Sequence, residues 1–546
     1  MRQPLKFLII ILLGFVIYGP WLNNGFVLDD EVQLIGNELT TSASNLGEVF
    51  LRGATTHEAG RVNSYGVYYR PMMIGTFTLL RSTFGDNPLP FHFLQLLLHI
   101  ANAILVYCFF RKIFSRRSSY DSCDDTADDP SSDWMAWFAA VVFLVHPLNV
   151  EAVSYIASLQ DPLFAFFGLI ALNLVFQKRQ LLSIFSTVVM TFCFTLALLG
   201  KESALLLIFL SSLAALFFRR DRFIKATLAG AFATALYLGL RLGTAGLMKL
   251  DHSASQMART PYATKLWSLP AVLSSYIFKF FAPWILATLQ DWVVTGPDLR
   301  SFWLPLIGVI ATLCLTTWYF LRRKNKLFLF FAIWALGSLG LHSHLIVPLD
   351  GTVSERWFYL IGIGFLGMML AVAQDHRQFL IGRGKWPTII LAVVLTCVFS
   401  VRSGVRASQW RDGFTLYSAD IESQPDSSSL QNNLGVELFR RGEILAARAR
   451  FEISVELNPE WNVSWSNLGA TYQRTGDLQK AEECYKKSGQ FGAYLLAYQN
   501  LAAVLTQQGK LGEAREFLAL KALPVYPRDP MLLKIDEVLR SATDKK

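Results

Sequence analysis

Charged and hydrogen-bonding residues cluster at the borders of long apolar runs in five places along this chain, and charge is costly there unless it serves a purpose. The first cluster is Asp29-Asp30-Glu31. Three adjacent carboxylates repel one another, and near a membrane surface at least one should carry the shifted pKa of an acid–base residue. The same triplet also fits a solvated loop. The second is His146-Pro147-Leu148-Asn149-Val150-Glu151, followed by Gln160-Asp161-Pro162. The His-to-Glu spacing does not put both side chains on one helix face, so a hydrogen-bonded loop is expected rather than a metal pair. The third, Lys201-Glu202, is either a mutual ion pair at a helix end or a lysine facing a phosphate with Glu202 positioning it. The fourth is Asp291-Trp292. The fifth is Ser354-Glu355-Arg356, where the guanidinium of Arg356 matches phosphate geometry. Arg70, in Tyr68-Tyr69-Arg70-Pro71, is a second such arginine.

The elements that must position these residues are membrane helices. Of 546 residues, 53% are hydrophobic and only 17% charged, well below the usual quarter for soluble domains. The apolar residues come in runs of membrane-helix length. Basic clusters at 2–6, 111–117, 178–179, 219–225, 322–326 and 377–385 go to the cytoplasm by the positive-inside rule. That places eleven spans near 4–22, 91–110, 134–147, 161–177, 182–199, 203–218, 223–242, 302–320, 327–347, 357–373 and 387–401. All five clusters then share the outer side. Segment 268–290 is apolar but carries Lys279, Pro270 and Pro283, and it is expected as an interfacial or re-entrant helix.

Other readings are set aside. The net charge of +9 is an orientation signal and not a nucleic-acid surface. The six cysteines show no metal-ligand spacing and no disulfide framework, and no metal site is expected. The stretch 118–133 is acidic and reads as a solvated cytoplasmic loop. Gly362-Ile363-Gly364-Phe365-Leu366-Gly367 matches a dinucleotide fingerprint, but with no strand before it the glycines read as a helix-packing face. With no phosphate loop, ATP and soluble nucleotide sugars are not expected.

After residue 424 the sequence repeats. Asn433-Leu434-Gly435 returns as Asn467-Leu468-Gly469 and as Asn500-Leu501-Ala502; Gly442, Ala447 and Phe451 return as Gly476, Ala481 and Tyr485, then as Gly509, Ala514 and Leu518. The first step is 34 residues and the second 33, the period of tetratricopeptide repeats (TPRs), whose helix pairs stack into a solenoid. The expected division is a membrane domain at 1–401 with a large first outer loop at 23–90, a linker at 402–428, and an extracytoplasmic TPR domain at 429–546. The fold class is all-α.

Several phrases now line up in order: Phe26-Val27-Leu28-Asp29-Asp30, Tyr69-Arg70-Pro71, Phe91-His92 with Leu98-His99 and Asn102, His146-Pro147 with Glu151-Ala152-Val153, Lys201-Glu202, Asp291-Trp292, and Glu355-Arg356 with Tyr359-Leu360. With the C-terminal repeats, the chain resembles the TPR-containing protein O-mannosyltransferase family of GT-C glycosyltransferases. The resemblance covers most of the chain. It implies a polyprenyl-phosphate sugar as donor, no cofactor, and an acidic residue of the first outer loop as general base. Carried over, that base is Asp29 or Asp30. Asp30 is favoured because Asp30-Glu31 resembles the acidic pair of related O-mannosyltransferases. Glu31, His146 and Glu151 would orient the acceptor. Arg70, Lys201 and Arg356, with Glu202 and Glu355 beside them, would hold the donor phosphate. Direct displacement would invert the anomeric centre.

The resemblance leaves choices. The acceptor is protein Ser/Thr, recruited by the TPRs, or else a lipid or glycan; a non-enzymatic TPR membrane scaffold is the other alternative. The shorter TPR tail suggests a bacterial relative, with the TPRs in the periplasm on an inner membrane. The alternative is an endoplasmic reticulum membrane with the TPRs in the lumen.

Overall fold

The structure, a computed structural model, describes residues 2–51, 69–115, 130–177, 183–244, 257, 260–346, 349, 351–376 and 385–543. The acidic residues at 118–129, the basic pair at 178–179 and the basic positions 377–384 lie outside the described residues. Every long element is a helix, as the apolar runs demand. The chain forms two compact units. One holds Met1–Thr55, Tyr65–Thr288 and Val293–Asp412; the other holds Leu289–Trp292 and Gly413–Lys546.

The first unit is an integral-membrane helix bundle. Among the described residues, seven helices are long and apolar enough to cross a membrane: Gln3–Trp21, Leu89–Phe114, Ile156–Val175, Arg220–Gly243, Leu299–Arg323, Glu355–Asp375 and Trp386–Gln409. A bent pair, Ser132–Val145 with Pro147–Ser154, adds an eighth if it is one span. The apolar helices Ile184–Gly200, Ala204–Phe218 and Lys326–Leu341 are shorter. Segment 268–290 overlaps the helix Tyr262–Phe281, which is not among the crossing candidates. Its face of Ser268, Val272, Tyr276 and Phe280 is buried, while Tyr262, Leu266, Phe278 and Phe281 are exposed.

Small residues let these helices approach. A Cβ on Gly364 would lie 2.8 Å from the backbone nitrogen of Ala335, and one on Gly367 would lie 2.1 Å from the ring of Phe331. Gly364 and Gly367 of the triplet therefore form a helix-packing face. At the end of the bundle that carries Lys6, Asp133 pairs with Lys6 and accepts from Tyr107 at 2.6 Å, with Arg111 at 3.5 Å. Three separate segments are tied there by one carboxylate.

At the other end, the first outer loop builds a small core of its own. Leu34, Leu39, Val49, Met73, Ile74 and Phe77 pack with Phe91, Ile156 and Leu159. The loop is also fastened to the end of the last apolar helix: Asn24 Nδ2 donates to the Ala407 carbonyl at 2.9 Å, and Gly25 N–H donates to the Arg411 carbonyl at 2.9 Å. Residues 402–428, expected as a linker, are mostly helical. They hold the end of Lys385–Gln409 and the helix Gly413–Ser423.

The second unit is a stack of helix pairs: Ser428–Arg440 with Ile444–Leu457, Asn462–Arg474 with Leu478–Gln490, and Leu495–Gln507 with Leu511–Phe517. The repeating glycines close each first helix with positive φ, at 81° for Gly442, 86° for Gly476 and 75° for Gly509. The repeating small residue accepts the repeating large one. A Cβ on Gly435 would lie 2.6 Å from the Phe451 ring, and one on Gly469 would lie 2.8 Å from the Tyr485 ring. In the third repeat Ala502 and Leu518 occupy these positions, both fully buried.

Candidate functional site

The three adjacent carboxylates of the first outer loop have different fates. Asp30 is fully buried. Its Oδ2 accepts the Val27 N–H at 3.0 Å and its Oδ1 accepts the Ala157 N–H at 2.6 Å. Burial raises its pKa well above the carboxylate range; the two N–H donors oppose this, and Asp29 and Glu31 add to it. Asp29 and Glu31 are exposed. Between Val27 and Asp29, Leu28 takes φ 54°, a left-handed conformation that costs a non-glycine residue of order 1–3 kcal/mol. Asp29 then donates its backbone N–H to the Tyr155 hydroxyl at 3.1 Å, and its Oδ2 accepts from Gln33 Nε2 at 3.4 Å. Asp30 is the base that the resemblance favours. In the structure its oxygens are committed to the backbone, and Asp29 and Glu31 are the exposed carboxylates of the triplet.

Arg356 interacts electrostatically with Asp29, and Lys201 with Arg70 and Arg356, and each of these cations leans on an acidic or amide partner. Glu151, buried, bonds the Arg356 guanidinium, and also accepts the Arg356 N–H and the Ser354 hydroxyl at 3.0 Å each. Lys201 Nζ meets Asp161 Oδ1 at 2.5 Å. Burial pulls the lysine pKa down; Asp161 opposes this, while Arg70 and Arg356 reinforce it. Arg70 donates to Gln160 Oε1 at 2.6 Å and lies 3.9 Å from Glu202 Oε2. Glu202 Oε1 accepts from Arg241 at 2.6 Å. Burial pushes the Glu202 pKa up, but Arg70 and Arg241 outweigh it and hold it below the usual range. So Lys201 and Glu202, adjacent in sequence, do not pair with each other. Each reaches a different element.

Glu355 lies on the loop that carries Arg356. It accepts the Ala287 N–H at 2.6 Å and sits 3.5 Å from Arg406, and both side chains are buried. Tyr276 brackets the same loop, holding the N–H and carbonyl of Ser354 at 3.3 Å each. His146 is not part of the polar cluster. Its ring lies among Phe280, Phe358 and Phe399, its Nε2 meets the Phe280 carbonyl at 3.1 Å and its Nδ1 accepts the Leu148 N–H at 3.3 Å. Asp291 belongs to the second unit, where it accepts from Ser429 at 3.4 Å. Among the described residues, no three His, Cys, Asp or Glu side chains gather as metal ligands.

Sequence reasoning missed Tyr155, Arg241 and Arg406. Tyr155 stacks on Trp410, with centroids 5.4 Å apart and planes at 25°, and the Arg356 guanidinium lies 5.7 Å from its ring centre. Arg241 could have been found as an arginine ending an apolar run; Tyr155 gives no such signal.

A tetratricopeptide-repeat profile matches residues 463–488. A protein O-mannosyl-transferase of Caenorhabditis elegans is 22% identical over 464 residues, 83% of this chain and 63% of that protein. Human protein O-mannosyl-transferase TMTC4 is 23% identical over 80% of this chain and 64% of its own length. Human TMTC1, of the same name, is 22% identical over 85% and 56%. The chain thus spans less than two thirds of these relatives. Its homologues are protein O-mannosyl-transferases of the TMTC family.

Proposed function

We propose that this chain is a membrane glycosyltransferase that moves a hexose, mannose or another, from a polyprenyl-phosphate donor to Ser or Thr hydroxyls of proteins. The observation that carries the reading is an exposed carboxylate, Asp29, held by Tyr155 and linked through Arg356 to a group of anchored cations. Asp29 takes the proton of the acceptor hydroxyl. The freed oxygen attacks the anomeric carbon as the carbon–oxygen bond to phosphate breaks, and the configuration inverts. Arg70, Lys201 and Arg356 hold the departing phosphate. Glu202, Asp161 and Glu151 fix those cations in place, Glu355 holds the loop that carries Arg356 through the Ala287 N–H and Arg406, and none of them touches the sugar. Asp30 closes the loop that presents Asp29, and Glu31 flanks the acceptor. Fixed cations supply the charge stabilisation that a metal gives elsewhere, so the reaction needs none.

On the eleven-span reading of the sequence this site faces the extracytoplasmic side, with the TPR unit on that side to recruit acceptor proteins. In a bacterial cell this is the periplasmic face of the inner membrane; in a eukaryotic one, the lumen of the endoplasmic reticulum.

The test is glycan mass spectrometry on membrane and exported proteins from cells carrying wild type, a deletion and Asp29→Asn. Protein-linked hexose should vanish in the deletion and in Asp29→Asn. Unchanged protein glycans in all three strains would overturn the protein acceptor, and a glycan lost from lipid or polymer instead would reassign it.

A further inference from the structure

Tyr155 joins the base to the cations, and its hydroxyl is only half used. The oxygen accepts the Asp29 N–H at 3.1 Å. Among the described residues the hydroxyl proton is given to no acceptor. The residue is 3% exposed and lies between an exposed carboxylate and a guanidinium that keeps 22% of its side-chain surface exposed. Its ring cannot swing away. Trp410 stacks on one side, and Trp410 is itself buried and held beside Arg406, whose guanidinium lies 5.8 Å from the indole. A buried hydroxyl locked in one direction with a proton left to give is a preorganised donor.

We propose that the Tyr155 hydroxyl donates a hydrogen bond to a phosphate oxygen of the polyprenyl-phosphate donor, between Asp29 and Arg356. This rests on the transferase reading above. An anion is the right partner: charge-assisted hydrogen bonds are about twice as strong as neutral ones. The phosphate oxygens gain negative charge as the sugar leaves, so the bond strengthens along the reaction. Burial, and then the charges of Asp29 and Asp30, hold the phenol pKa well above its usual range, so the group stays a donor at any physiological pH. The same hydroxyl ties the Asp29 backbone to the phosphate position, which fixes the distance between base and leaving group.

The experiment compares wild type, Tyr155→Phe and Asp29→Asn as full chains in detergent. It measures transfer to a peptide acceptor and competition by polyprenyl monophosphate. Phenylalanine keeps the stack on Trp410 and removes only the oxygen. Tyr155→Phe should weaken polyprenyl monophosphate inhibition on the order of 10-fold and lower kcat on the order of 100-fold. Its thermal midpoint and the acid limb of its pH–rate profile should stay as in wild type. Unchanged inhibition and kcat would overturn the proposal. A shifted acid limb with unchanged inhibition would also overturn it, since Tyr155 would then act only by placing Asp29. Absence of transfer by wild type would remove the transferase reading itself, while wild-type rates in Tyr155→Phe with an inactive Asp29→Asn would remove this proposal alone.

Discussion

Asp30 and Ala157 stand 127 residues apart in the chain and share a 2.6 Å hydrogen bond that fastens the first outer loop to the first turn of the helix Ile156–Val175. Replacing Asp30 with Ala strips the acceptors from the Ala157 and Val27 N–H groups. Each buried donor left without a partner costs about 1–3 kcal/mol. Asp30→Ala should therefore lower the thermal midpoint and the yield of folded protein. Asp29→Asn, at an exposed position, should stay within about 0.5 kcal/mol of wild type yet lose transfer by on the order of 10²- to 10⁴-fold. Scanning fluorimetry beside a transfer assay separates the two. The reverse pattern, a stable inactive Asp30→Ala and an active Asp29→Asn, would restore Asp30 as the base.

The pH dependence of stability tests the same carboxyl. Burial raises its folded-state pKa, whereas in the unfolded chain an aspartate titrates near about 3.9. The folded state therefore holds this proton more tightly. Its stabilising contribution is complete below about pH 3.9 and declines as pH rises toward the folded-state value. Asp30→Asn has no such titration. The midpoint of wild type minus that of Asp30→Asn should fall as pH goes from about 4 to 8. A flat or rising difference would mean that the two N–H bonds outweigh burial.

The structure sorts what sequence can and cannot show. Long apolar runs and the 34-residue period are local patterns, so the helices, the glycine packing face and the TPRs were legible. Lys201 and Glu202 were visible as a charged break between two apolar runs. Their partners Asp161 and Arg241 lie 40 and 39 residues away, on elements that only folding brings near. Choosing between Asp29 and Asp30 was beyond sequence for a similar reason: adjacent residues share their composition, and only the fold buries one and exposes the other. His146 misled because a polar residue between apolar runs looks functional, whereas here an aromatic cage and two backbone groups occupy it.

Lys201 and Asp161 form a buried pair at 2.5 Å, with relative exposures of 9% and 3% for their side chains. Removing one partner leaves the other charge uncompensated, at a cost of about 3–5 kcal/mol. Lys201→Met should destabilise by that order. Adding Asp161→Leu should recover most of the loss, because a well-packed apolar pair replaces a buried ion pair at little cost. Transfer should not return, since the phosphate has lost a cation. Recovery of transfer together with stability in the double variant would make Lys201 structural only.

Arg241 reaches the cluster through Glu202 and Tyr237, each at 2.6 Å. Because Glu202 also faces Arg70 at 3.9 Å, loss of Arg241 frees that carboxylate to draw Arg70 away from the phosphate. Arg241→Gln should raise KM for the lipid donor by roughly 10-fold, about 1.4 kcal/mol, with little effect on KM for the acceptor. Steady-state kinetics with each substrate varied in turn reads this directly. Equal effects on both substrates would indicate a general collapse of the site.

The TPR unit offers a test of repeat packing that is independent of chemistry. Gly469 leaves room for the Tyr485 ring; a Cβ there would sit 2.8, 2.9 and 3.1 Å from three ring atoms. Overpacking of this kind costs about 1–3 kcal/mol, which exceeds the helix-propensity gain of about 1 kcal/mol from glycine to alanine. Gly469→Ala should therefore destabilise the second repeat. The third repeat shows the remedy, with Ala502 and Leu518 buried at the equivalent positions. Tyr485→Leu alone should also destabilise, by leaving a void. The double variant should be more stable than the sum of the single changes by at least about 0.5 kcal/mol, because the two residues share one volume. Protease-resistance midpoints of the four full-length chains give the cycle, and simple additivity would show that the ring can move aside without the glycine.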